Sequence, residues 1–207
     1  MNDSQLKEVT EEKDLGVLIH NSLKPSKQCA SSAMKANRTL GMIKRNITYK
    51  SKFIVTKLYK TLVRPHLEYA IQCWNPYHKK DIDLLEKVQR RATKLIPELQ
   101  HMCYSDRLKA LNLTTLENRR IRGDLIQVFR IIKGFDKVAA DNLFSVSHSS
   151  RTRGHTLKLA KSKVRLDSRK YFFTQRVVTN WNKLPEHVIA AKTVCDFKIR
   201  LDQHLNI

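Results

Sequence analysis

The chain has 207 residues, 41% of them hydrophobic, which is enough to bury a core and excludes a disordered tail. Forty lysines and arginines against nineteen aspartates and glutamates leave a formal net charge of +21, whereas solubility alone asks for about 2 to 8 in a small domain. The surplus calls for a polyanion, and nucleic acid is the natural one.

Five glycines and five prolines, set against abundant Leu, Lys, Arg and Ala, predict a mainly α fold. The first element is a strand. Asp14 to His20, DLGVLIH, has a strand's length and β-branched content and ends at the polar turn NSLKPSK. One strand cannot stand alone. Either it lies against the helices, or it is the last strand of a sheet whose other members precede Met1; the acidic lead-in favours the second.

Ser26 is then expected to cap a helix whose buried side is Cys29, Ala33, Ala36, Leu40 and Ile43, at 4-3-4-3 spacing. Lys27, Lys35, Arg38 and Lys44 fall largely off that stripe. No acidic residue occurs from Leu15 to Leu67. A helix surface normally mixes signs, so a surface of one sign is read as a phosphate-contacting face rather than a merely solvated one.

Leu58 to Pro76, LYKTLVRPHLEYAIQCWNP, is apolar at helical spacing and interrupted at Pro65. Pro65 offers no N–H to Thr61, which predicts a sharp kink or a second helix beginning there. Leu58, Leu62, Tyr69 and Cys73 are expected on the buried face, widened by Leu67, Ala70, Ile71 and Trp74.

Asp81 is expected to cap the next helix, with Asp83 and Glu86 near its positive end and Pro97 beyond its close. Its buried stripe is Ile82, Leu85, Val88, Ala92 and Leu95, and Lys87, Arg90, Arg91 and Lys94 form a cationic outer edge. A short helix over Tyr104 to Leu111 precedes the capping box Thr114-Thr115-Leu116-Glu117. The long helix that follows buries Ile121, Leu125, Val128 and Ile132 and ends at Gly134. Arg119, Arg120 and Arg122 crowd its positive end and Gly123 weakens it, two local costs that suggest a site, with close helix packing preferred as the reason for Gly123.

From Asp136 the pattern dissolves into a basic linker and a loose hairpin, weakly alternating at Leu157, Leu159, Val164 and Leu166. Ser168 starts a helix with Phe173, Val177, Trp181 and Leu184 on one face, stopped by Pro185. The last helix runs from Thr193, with Asp196 in the capping-box position and Phe197, Leu201 and Leu205 buried.

Catalytic chemistry is not evident. No Asp-Asp pair or acidic cluster in an apolar strand could hold catalytic metal, and no phosphate-loop, HExxH or GxSxG motif occurs. Cys73, His78, His101 and Cys103 lack the spacing of a zinc finger. Four cysteines without CxxC spacing (Cys29, Cys73, Cys103 and Cys195) read as reduced thiols of an intracellular protein. No apolar run approaches the roughly 18 residues of a membrane span. Trp74 and Trp181, on apolar stripes, are read as packing residues and not as base-stacking ones. No cofactor and no metal are expected.

Several blocks carry a more specific signal: EEKDLGVLI (Glu11 to Ile19), KANRTLGMIKR (Lys35 to Arg45), LYKTLVRPHLEYA (Leu58 to Ala70) and VQRRATKLI (Val88 to Ile96). They continue in YSDRLKALNLTTLENRRIRGDLI (Tyr104 to Ile126), TRGH (Thr152 to His155) and VVTNWNKLP (Val177 to Pro185). In this order they resemble the C-terminal part of the reverse transcriptases of non-LTR, LINE-type retrotransposons, especially the jockey-like group. The resemblance implies that residues 1–22 end a palm-like region, 23–135 form a helical thumb-like domain, 136–167 a basic linker or hairpin, and 168–207 a C-terminal helical extension. It implies too that the catalytic aspartates, fingers and endonuclease of an RNA-directed DNA polymerase lie outside this chain, which is then not itself an enzyme.

A thumb grips primer and template through phosphate and sugar, which needs cations on packed helices and no base code. The residues expected to bind are Lys35, Arg38, Lys44, Arg45, Lys87, Arg90, Arg91, Lys94, Arg119, Arg120 and Arg122, with Arg151, Arg153 and His155 as a mobile second contact. Expected partners are RNA or DNA duplexes or hybrids and the upstream polymerase domains, in the nucleus or a cytoplasmic ribonucleoprotein. The alternatives are a free-standing basic RNA-binding protein and a helical module for an acidic protein partner.

Overall fold

A computed structural model of the chain describes residues 8–147 and 154–206. It is mainly helical, with a single two-stranded antiparallel sheet among the described residues. The chain divides into two compact units, one ending at Leu111 and the other beginning at Asn112. That division falls inside the expected 23–135 segment. Helical periodicity says which face of a helix is buried, not which elements bury it.

In the first unit, β1 (Glu11–Asp14) pairs with β2 (Val17–His20), Asp14 opposite Val17. Leu15 and Gly16 form the two-residue turn, both with positive φ, +44° and +86°, the geometry that matches the twist of a tight hairpin. The single expected strand is therefore one arm of a hairpin, and the acidic EEKD supplies its partner. It is fastened to the helices. Val17 is buried, and the Leu18 N–H donates to Gln28 Oε1 at 2.9 Å.

α1 (Ser26–Asn46) buries Cys29, Ala33, Ala36, Leu40 and Ile43, the expected stripe. Pro25, not Ser26, occupies the cap position, and the Ser26 hydroxyl instead donates to Asp81 Oδ2 at 2.6 Å. The capping roles expected of Ser26 and Asp81 are thus replaced by a bond between them. Asp81 lies in the first turn of α5 (Lys79–Lys94), only 4% exposed, while His78 takes its cap position.

The Leu58 to Pro76 stretch is broken twice. α2 (Lys52–Leu58) runs into a π-helical turn, Tyr59–Val63, and then α3 (Arg64–Glu68). The Arg64 N–H reaches back five residues to the Tyr59 carbonyl. The wide turn absorbs the hydrogen bond that Pro65 cannot make and its clash with the preceding turn. It also adds a residue to the turn, so the buried positions step by four: Val55, Tyr59, Val63, Leu67. Leu62, expected inside, is 43% exposed for this reason. The second break is at Ala70, in the left-handed region, before α4 (Ile71–Trp74), and it leaves Tyr69 and Cys73 exposed. Trp74 is buried and its indole N–H donates to the Tyr69 carbonyl.

α5 buries Leu85, Val88 and Ala92 as expected, but also Glu86 and Gln89. The Tyr59 hydroxyl donates to Gln89 Oε1 at 2.6 Å, Gln89 Nε2 donates to the Tyr104 hydroxyl at 2.8 Å, and that hydroxyl donates to Glu86. This buried network ties the π turn, α5 and α6 (Tyr104–Ala110) together. Asn112, at φ +46°, follows the end of α6.

The second unit is built on α7 (Leu116–Ile132), capped by Thr115, whose hydroxyl accepts from the Asn118 N–H, one residue later than expected. Gly134, at φ +72°, ends it as expected. Leu125, Val128 and Phe129 join Phe173, Val177, Trp181, Phe197 and Leu201 in one core. α8 (Ala140–Leu143) leads to Val146, which bridges antiparallel to Leu159 in place of the loose hairpin. Asn182 acts as a strand partner to Leu159, donating to its carbonyl and accepting from its N–H. The helix expected from Ser168 is two: α9 (Asp167–Lys170) and α10 (Phe173–Asn182). Pro185 opens α11 (Glu186–Ile189), and α12 (Val194–Leu205) has the expected Thr193 cap.

Candidate nucleic-acid interface

α1 and α5 pack side by side. On the outside of this pair lie Lys35, Arg38, Lys44 and Arg45 from α1 and Lys87, Arg90, Arg91 and Lys94 from α5, all exposed. Among the described residues none of the eight pairs with a carboxylate. Their isolation is local in origin. α1 contains no acidic residue and α5 none after Glu86, while Asp81 and Glu86 are turned inward by Ser26 and Tyr104.

Two of these cations are held in place by neutral groups. Arg91 Nη1 donates to Asn37 Oδ1 at 3.1 Å, across from α5 to α1. The Arg90 guanidinium sits 4.1 Å from the centroid of the Tyr104 ring, whose own position is fixed by the network beneath it. Burial raises the Tyr104 pKa, and its bond to Glu86 raises it further, so the phenol stays a neutral donor. A guanidinium stacked on a ring or bonded to an amide keeps its full charge and free N–H groups for an anion, where one bonded to a carboxylate would not. Between the helices runs a groove lined by Ala30, Ala33, Met34, Asn37, Arg38 and Leu84.

The remaining expected residues that the structure describes belong to the second unit. Arg120 is buried, 4% exposed, and Arg122 pairs with Asp202 through two hydrogen bonds. Arg119 is half-buried. All three belong to the second unit, on a helix whose inner face forms that unit's core. His155 is not a mobile contact: it is 3% exposed, stands edge-on to Trp181, and donates from Nε2 to the Trp181 carbonyl at 3.0 Å. Burial lowers its pKa. Arg151 and Arg153 lie outside the described residues. Asn37, Gln89 and Tyr104, which set the arginines, carry no sequence signal of that role, because each acts on a residue brought to it by folding.

Among the described residues no three His, Cys, Asp or Glu side chains group as metal ligands; Cys103 contacts Ser105 and Asp106. No described helix is long and apolar enough to cross a membrane. Comparison of the sequence with models of known families and with curated proteins, and of the fold with solved structures, finds no match.

Proposed function

We propose that the chain binds duplex or hybrid nucleic acid without sequence preference, through the cationic surface of α1 and α5. It would serve as the thumb-like C-terminal part of a non-LTR, LINE-type reverse transcriptase, in the nucleus or in a cytoplasmic ribonucleoprotein. The observation that carries the binding role is the set of eight exposed cations on two packed helices with no carboxylate partner among the described residues. A protein that used this charge only for solubility would mix signs on such a surface. Rigid cations without base-reading partners suit phosphate contact, which gives register and affinity but no sequence code. The reading assigns no catalytic residue; polymerase chemistry belongs to domains that the resemblance places upstream.

Titration of unrelated duplexes at several salt concentrations tests it. Neutralising about six phosphates gives a log–log slope near −5, at roughly −0.9 per phosphate. A second reading is favoured by the groove's apolar floor, where Met34 is 55% exposed: an acidic amphipathic helix could lie between the cations. A slope near zero for nucleic acid, with capture of an acidic helical peptide, would move the assignment there.

A further inference from the structure

Tyr49 and Phe53 are 75% and 73% exposed, the two most exposed aromatic side chains among the described residues. A scattered exposed ring needs no explanation. These two stand within five residues of each other, in the acid-free span, among Lys50, Lys52, Lys57 and Lys60. Their placement follows from the local fold. The Ser51 hydroxyl accepts from the Ile54 N–H and starts α2, and Val55 turns inward; two residues earlier, about 200° around the helix, Phe53 must face out. The Lys57 ammonium lies 5.6 Å from the Phe53 ring centroid, and Lys52 pairs with Glu98 at 3.3 Å.

We propose that Tyr49 and Phe53 form a stacking platform for the unpaired bases of a single-stranded nucleic acid, with Lys50, Lys57 and Lys60 beside its phosphates. The proposal rests on the nucleic-acid reading above and adds a second mode to it, one that takes affinity from the faces of bases. Every base has such a face, so the platform is tolerant of sequence. Four residues of chain keep the two Cα atoms within about 14 Å, which puts both rings within reach of one short run of strand. A bilayer is the other surface that takes aromatic rings beside lysines, but an interfacial helix needs a continuous apolar face. Here Val55 and Tyr59 are turned into the core, and beside the two rings only Leu62 of this run is exposed among its large apolar side chains, which makes no continuous apolar face.

The test uses the full chain and fluorescence anisotropy with three labelled probes: an oligoadenylate, an abasic strand of the same length, and a blunt RNA duplex. The unmodified chain should bind the oligoadenylate about tenfold or more tighter than the abasic strand. Tyr49→Leu with Phe53→Leu, which keeps apolar bulk and every charge, should erase that preference and leave abasic and duplex binding unchanged. Equal binding of the base-bearing and abasic strands by the unmodified chain overturns the proposal without any variant, so a folding defect cannot shelter it. Retained preference in the double variant overturns it too, as does an equal loss on all three probes. Loss of binding to phosphatidylserine vesicles with oligoadenylate binding intact would assign the rings to a membrane instead. Absence of salt-sensitive duplex binding, with the base preference present, would remove the α1–α5 reading and leave the platform standing.

Discussion

Trp74 and Leu62 show how much two local breaks in one helical stretch decide. Trp74 is 4% exposed and its N–H donates to the Tyr69 carbonyl, just before the helix break at Ala70, so Trp74→Ala should cost about 3 to 5 kcal/mol by thermal or urea unfolding. Leu62→Ala should cost under about 1 kcal/mol in the same assay, because the π turn leaves Leu62 at the surface. His155 is the residue with a pH signature. Its pKa is lowered by burial, against the Trp181 carbonyl and Glu186, which favour the charged ring, and with Lys158, which disfavours it. The folded chain therefore binds this proton less tightly than the unfolded one. The stability that the neutral ring contributes is complete above the unfolded pKa, roughly 6.5, and is lost as pH falls from there through the folded value. Unfolding midpoints measured from pH 7.5 down to pH 5 (roughly the window in which an imidazole titrates) should fall more steeply for the unmodified chain than for His155→Gln.

Within α7, Gly123 and Asp124 make opposite statements about the same helix. A Cβ added at Gly123 would meet nothing within 4 Å, so neither close packing nor a neighbouring backbone requires the glycine. Gly123→Ala should raise stability by about 0.5 to 1 kcal/mol, as an alanine does in an open helical position. Asp124, beside it, is buried and receives two 2.9 Å hydrogen bonds from Arg176 of α10. Burial raises the Asp124 pKa, and the bonds and charge of Arg176, with the charge of Arg120, pull it back down. Removing the carboxylate strands a guanidinium in a nearly dry site, so Asp124→Ala should destabilise by about 3 to 5 kcal/mol. Asp124→Leu with Arg176→Met should recover most of that loss, because the pair's attraction is offset by its desolvation. Denaturant midpoints of the single and double variants give the comparison.

For the whole molecule, the net charge of +21 is distributed between cations with and without partners. Arg90 and Arg91 lie outside the apolar stripe of α5 and contact the fold through the Tyr104 ring and Asn37, so Arg90→Glu with Arg91→Glu should keep the helical circular dichroism while losing those two surface contacts. It should weaken every duplex alike and flatten the salt slope. Arg122→Gln, by contrast, breaks a bond to Asp202 within the second unit's fold, and should lower stability while leaving duplex affinity per folded molecule unchanged. A loss confined to one duplex sequence in the first variant would count against phosphate contact.

The sequence by itself determined the helical class, the buried stripes of α1, α5, α7 and α12, the Gly134 stop and the Thr193 cap. All of these follow from interactions within a turn or two of one helix. It also determined the acid-free span, which composition alone displays. Only tertiary structure decided which basic residues are free. Arg120 and Arg122 read like Arg90 and Arg91 along the chain and differ because Asp202, eighty residues on, meets one of them and a core encloses the other. Glu86, Gln89 and Asp81 look like surface residues of an amphipathic helix, yet partners from distant segments make their burial affordable to the fold. The buried His155 likewise depended on where separate segments met, and no periodicity within a single helix records that; the hairpin and the π turn are local, set by Leu15-Gly16 and by Pro65, but lie outside what helical periodicity reads.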